Sequence, residues 1–130
     1  MASLRCDIRI ECPPDHVWAL VGDPARISEW FPGTEGVVMD GTTRTVTLRS
    51  GLPLVEEVVN VDPRLRRFQY RIVGPLPVQY HLGTIDVLPD DGGTRLVYST
   101  EITPDPMAFV IDGAIAAAVT ELKSVAERTA

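Results

Sequence analysis

Glu56, His81 and Tyr70 are the side chains whose types and positions suit acid–base work or the orienting of a bound molecule. A carboxylate in apolar surroundings has a raised pKa and can act as acid or base. A histidine can hydrogen-bond a ligand or shuttle a proton near neutral pH. A tyrosine brings a hydroxyl that needs a partner once buried. Alternation assigns faces to these groups. His81 is in step with Gly83, Ile85 and Val87, while Leu82, Thr84 and Asp86 point the other way. Ile85 and Val87 argue that this is the inner face; the competing reading is a wetted histidine at a strand end. Phe68, Tyr70 and Ile72 alternate with Arg67, Gln69 and Arg71, and Leu96, Tyr98, Thr100 and Ile102 form a similar set. Both sets should face inward, as core more readily than as site. For Glu56 alternation leaves the choice open. It shares one side with Val58 and Asn60, while Glu57, Val59 and Val61 share the other. The competing reading is a surface acid opposite an arginine of the next strand.

Other chemistries lack their residues. There is no His-Glu-x-x-His, no Cys-x-x-Cys and no histidine cluster, so no metal site is expected. No Gly-x-Gly-x-x-Gly, Walker loop or Gly-x-Ser-x-Gly elbow occurs, and no cofactor is expected. Lys123 is the one lysine among 12 basic residues, so Schiff-base chemistry would rest on it alone. Cys6 and Cys12 read as free thiols on one strand. Six residues of strand span roughly 20 Å, far more than a disulfide bridges. His16, in the first turn of a short helix, reads as solvent-facing. The 18 acidic residues against 12 basic ones, net −6, argue against nucleic acid or an anionic membrane as partner. No apolar run reaches the length of a membrane span, and no signal-peptide core opens the chain. The expected setting is the cytoplasm.

The elements that must position these residues follow from periodicity and turn chemistry. The chain has 130 residues, 45% hydrophobic and 23% charged, which is one domain of ordinary size over residues 1–130. Ser3 to Glu11 alternates as a half-buried strand. Pro13-Pro14-Asp15 stops it and opens a short helix containing Val17, Trp18, Leu20 and Val21. A second short helix runs from about Ala25 to Trp30. Six strands follow: Gly36–Asp40, Arg44–Arg49, Leu54–Val61, Arg67–Val73, Gln79–Leu88 and Thr94–Thr103. Turns rich in Gly, Pro and Asp separate them, which predicts an antiparallel meander. A long helix from about Asp105 to Arg128 ends the chain. Segregated strands and helices mean α+β. The last helix must pack into the concave face of the curved sheet, with its alanine run either closing a cavity or leaving one.

This order, with several local strings, resembles the Bet v 1-like, START-related (SRPBCC) superfamily of helix-grip proteins. "CPPDHVWALVGDPARISEWFP" looks like its strand-to-helix passage. "EEVVNVDPRLRRFQYRIVGPLPVQYHLGTIDVLPDDGGTRLVYSTEITP" looks like the middle of the bacterial branch labelled polyketide cyclase/dehydrase. Ser50-Gly51-Leu52-Pro53 is similar to the gate loop of the plant abscisic-acid receptors, and Pro75-Leu76-Pro77 falls where those receptors carry their latch. The resemblance implies a seven-stranded antiparallel sheet wrapped around the C-terminal helix, with a pocket between them. It places Glu56 where the receptors have a pocket glutamate. It places His81 where the family often has a pocket tyrosine, so that role does not carry over directly.

Three functions are compatible with these residues. The first is binding of a small hydrophobic molecule, aromatic, polyketide-like or lipid-like. Val46, Leu48, Leu52, Pro53, Phe68, Tyr70, Ile72, Tyr98 and Phe109 would line its site, and Glu56, His81 and Tyr70 would orient it. The second is a cofactor-independent cyclase, aromatase or dehydratase in which Glu56 and His81 divide the catalytic acid and base roles. It requires both groups to reach one cavity. The third is an interaction module, a homodimer among its forms, with a closed pocket.

Overall fold

Alternating segments bounded by turn residues become seven strands, β1 (Ala2–Ile10), β2 (Thr34–Asp40), β3 (Thr43–Leu48), β4 (Pro53–Asp62), β5 (Arg67–Gly74), β6 (Tyr80–Asp90) and β7 (Gly93–Thr103). Between β1 and β2 lie helix α1 (Pro14–Val21) and a 3-10 helix (Pro24–Glu29); helix α2 (Met107–Thr129) follows β7. The computed structural model describes residues 1–130. The strands form one antiparallel sheet in the order β1-β7-β6-β5-β4-β3-β2. Every expected strand is present, with ends moved by at most two residues. At the first of these ends, β1 stops at Ile10, and the Glu11 N–H donates to the Glu127 carboxylate on α2 at 2.8 Å. Cys12 therefore lies beyond the strand, buried in the core, rather than on it with Cys6.

The turns set the pairing. Asp91 and Gly92 link β6 to β7 with φ of 51° and 85°. Positive φ at both positions is the two-residue hairpin geometry that Asp-Gly favours. Two bulges bend β4 against β5, one between Val55 and Glu56 and one between Val58 and Asn60. The second inserts Val59 and reverses the alternation. Asn60 moves to the outer face, where it donates to Gln69 at 3.0 Å, and no longer shares a side with Glu56.

β1 and β2 occupy opposite edges of the sheet, so the chain between them must cross it. It does so through α1, packed on β6 and β7, and the 3-10 helix, packed on β2 and β3. The buried side chains of Val17, Leu20, Ile27 and Trp30 close one end of the concave face. Asp23 caps the 3-10 helix by accepting from the Ala25 N–H at 3.0 Å.

Helix α2 packs on β1 and β7, not over the middle of the sheet. One face of its second half is buried, with Ala118, Leu122 and Ala126 fully enclosed. Its first half stands off, and Asp112, Gly113 and Ala114 are exposed. The alanines thus do both things small residues can do. Ala118 and Ala126 allow close packing, while Ala114 leaves room.

The β5–β6 ladder runs only from Arg67–Asp86 to Tyr70–Gly83. There the Tyr70 ring lies across Gly83, where a Cβ atom would sit 2.5 Å from the ring. Only glycine permits that approach. Gly83→Ala is therefore expected to destabilise the protein by about 1–3 kcal/mol through overpacking. The check is a lowered urea midpoint at unchanged m-value.

Candidate ligand-binding site

Between the inner face of β3–β5 and the first half of α2 lies a cavity of about 300 Å³. Ile27 and Phe31–Thr34 wall one end; Val46, Leu48, Leu54 and Ile72 come from the strands, and Ile111, Ala114 and Ile115 from α2. Twelve of its 16 lining residues are hydrophobic, and Glu56 is the one charged residue among them. Offset packing of α2 creates this space, because the helix does not cover the strands that carry Glu56.

Glu56 points inward and Glu57 outward, where Glu57 accepts from the hydroxyls of Thr42 and Thr43. Glu56 lies directly opposite Arg44 on β3. Both are buried, at 3% and 2% exposure. Arg44 Nε donates to Glu56 Oε1 at 2.8 Å and Nη2 approaches the same oxygen at 2.7 Å. Arg44 Nη1 donates to the Pro24 carbonyl at 3.1 Å, tying the pair to the 3-10 helix. The guanidinium also stacks over the rings of Phe68 and Tyr70 at 5.3 and 5.4 Å. Burial pushes the Glu56 carboxyl above its ordinary value, and the charge and hydrogen bond of Arg44 oppose that rise.

The hydroxyl of Tyr70, a lining residue, hydrogen-bonds that of Tyr98 behind the wall at 2.5 Å. Desolvation raises the pKa of both phenols, so they remain protonated. His81 is buried, 5.3 Å from the Tyr70 ring. Its Nδ1 accepts the Ile72 backbone N–H at 3.0 Å. An accepting Nδ1 puts the proton of the neutral ring on Nε2, which has no partner in the chain. The imidazole thus stands in for a ladder acceptor where β5 and β6 have separated. Desolvation lowers its pKa to about 4.

The structure divides the expected site residues into three groups. Val46, Leu48, Glu56, Tyr70 and Ile72 line the cavity. Phe68, Tyr98 and His81 are buried behind its wall and do not line it. Leu52, Pro53 and Phe109 take no part in lining it. The Leu52 carbonyl accepts the Leu48 N–H to close the β3–β4 turn, Pro53 is exposed, and inward register passes to Leu54. Phe109 is 86% exposed, because the inward stripe of α2 runs through Ala108, Ile115 and Ala118, a different face. Glu56 and His81 do not reach one cavity.

Other candidates have structural duties. Lys123 donates to the Arg9 carbonyl at 2.9 Å and pairs with Glu127. His16 bonds Thr129 at 2.9 Å, joining α1 to α2. Burial raises both thiols, Cys6 and Cys12, away from the reactive thiolate. Sequence reasoning missed Arg44, although a signal was present. Arg44 is in step with Val46 and Leu48, while Thr43, Thr45 and Thr47 share the other face.

Fold and site define a helix-grip protein with a mostly apolar cavity between the sheet and the last helix. The family model described as polyketide cyclase / dehydrase and lipid transport matches residues 1–127, and the chain belongs to that family. It is 28% identical over 114 residues to MLP-like protein 423 of Arabidopsis thaliana, covering 75% of this chain and 74% of that protein. Among solved structures it resembles XoxI of Bacillus cereus, with a TM-score of 0.89, 22% identity and coverage of 95% and 94% of the two chains. It also resembles the di-domain ARO/CYC BexL, with a TM-score of 0.83 at 22% identity, matching 98% of this chain and 47% of that one. No helix is long and apolar enough to cross a membrane.

The buried ionisable groups set two expected outcomes. Glu56→Leu leaves Arg44 buried and unpaired, and is expected to cost about 3–5 kcal/mol, whereas adding Arg44→Met should restore most of it. Chemical denaturation of the three proteins measures this. For His81, the folded pKa of about 4 lies below the ordinary 6.5. Between these values the unfolded chain holds more protons than the folded one, so stability rises with pH. It is fully present above pH 6.5 and falls by about 3 kcal/mol as pH drops through 4. The difference in stability–pH profile between wild type and His81→Gln should carry that slope.

Proposed function

We propose that this protein binds a small, predominantly apolar molecule in the cavity between β3–β5 and α2. The carrying observation is the cavity itself, about 300 Å³, mostly apolar, with Glu56 as its one charged lining residue. Such a site draws its affinity from apolar area, roughly 25 cal/mol per Å² removed from water, and its orientation from a few polar groups. The names of the family and of BexL point the same way in general terms. Leu76, in the Gly74–Pro77 loop, forms part of the wall and is suited to move aside for entry.

The geometry supports binding over two-group catalysis. Acid–base division between Glu56 and His81 needs both at one ligand, and the His81 Nδ1 is engaged by the Ile72 N–H outside the cavity. A closed interaction module is disfavoured by the open volume beside Ala114.

Thermal-shift measurements with one- and two-ring aromatic compounds test the reading. A ligand at about 100 times its Kd adds about 2.7 kcal/mol, on the order of 10 °C in Tm for a domain of this size. Ala114→Trp, which fills the cavity from α2, is expected to abolish the shift while the protein stays folded. No shift from any compound, or an equal shift in the filled variant, would overturn the proposal.

A further inference from the structure

We propose that the cavity selects uncharged ligands carrying a hydroxyl donor, a phenol or alcohol on a skeleton of one or two rings, and rejects carboxylates. This rests on the cavity being a ligand site and concerns what that site accepts. Three side chains bring polar atoms to the wall: Thr34, Tyr70 and Glu56. The Thr34 hydroxyl donates to the Phe31 carbonyl at 2.7 Å, and the Tyr70 hydroxyl pairs with Tyr98. Both Arg44 contacts converge on Glu56 Oε1. Glu56 Oε2 is left without a donor from the chain, on a residue that is 3% exposed and lines the cavity.

An unpartnered carboxylate oxygen in an apolar cavity asks for a donor. Charge decides which kind. Arg44 already neutralises Glu56, so an ammonium ligand would bring an uncompensated charge out of water. A carboxylate ligand would likewise bring an uncompensated charge out of water, beside the negative end of the pair, and no arginine, lysine or histidine lines the cavity to offset it. A neutral hydroxyl satisfies Oε2 and adds no charge. Size sets the skeleton. An apolar cavity of about 150 Å³ takes benzene, so one of about 300 Å³ suits two fused rings.

A matched series on the full chain tests this by calorimetry at pH 7.5: naphthalene, 2-naphthol, 2-naphthoate and 2-naphthylmethylammonium. The expected result is that 2-naphthol binds roughly tenfold or more tighter than naphthalene, the size of effect of a hydrogen bond to a charged group. The two ions should bind more weakly than 2-naphthol. Naphthoate or the ammonium binding as tightly as 2-naphthol overturns the inference, as does naphthalene matching it. Naphthalene binding without a preference for 2-naphthol leaves the ligand-site reading standing and removes only this one. Failure of all four removes both. The double variant Arg44→Met/Glu56→Leu replaces the pair with apolar groups and is expected to fold. In it the ratio of naphthol to naphthalene affinity should fall to near unity. A preference that survives places the acceptor elsewhere and overturns the assignment of Oε2.

Discussion

Arg44 and Glu56 face each other across β3 and β4, and neither can be buried without the other. Removing one charge leaves its partner stranded in apolar surroundings. The pairing therefore reaches beyond its own contact. A one-residue slip of β3 against β4 would turn one member to the opposite face, so the pair helps specify register. The guanidinium lies on Phe68 and Tyr70 and reaches the Pro24 carbonyl, which fastens three strands and the crossing segment to one point. Because Arg44 uses a single oxygen of Glu56, the other oxygen remains for the cavity. One interaction thus organises the wall and supplies its polar feature.

The cavity arises from where α2 packs. A helix centred over the sheet would fill the groove, but α2 is held at the β1–β7 side by Leu122, Val125 and Ala126 and by the Lys123 contact to β1. The strands it does not cover, β3 to β5, are left to face open space beside Ala114. The crossing segment between β1 and β2 seals one end, since opposite-edge strands oblige the chain to pass over the groove. The site is a by-product of topology and helix offset, given its chemistry by one ion pair. A shared fold accommodates carriers and enzymes alike, and the binding role proposed for this chain rests on the particular residues of the wall.

Much of this was legible from alternation. The seven strands, the two short helices and the long final helix all stand where periodicity and turn residues put them. The inward faces of β5, β6 and β7 are as the pattern implies, with Phe68, Ile85 and Tyr98 buried. The bulge at Val58–Asn60 was not legible, because an inserted residue leaves the composition of a strand unchanged. Arg44 was legible in principle. Its place among threonines and apolar residues marks an inward arginine, but a charged residue invites a surface reading. His81 was placed on its face correctly, yet its partner depends on β5 and β6 separating beyond Tyr70, and pairing extent is not written in either strand.

By itself the sequence determined the order and kind of elements and the inner and outer faces of most strands. These depend on local preference and on period, which neighbouring residues encode. Tertiary structure alone decided which glutamate of the Glu56–Glu57 pair faces the cavity and with which arginine. It also decided that His81 stays behind the wall, that Phe109 turns to solvent, and that α2 leaves a cavity instead of filling it. Those outcomes depend on distances between strands and helices far apart in the chain, which neighbouring residues do not encode.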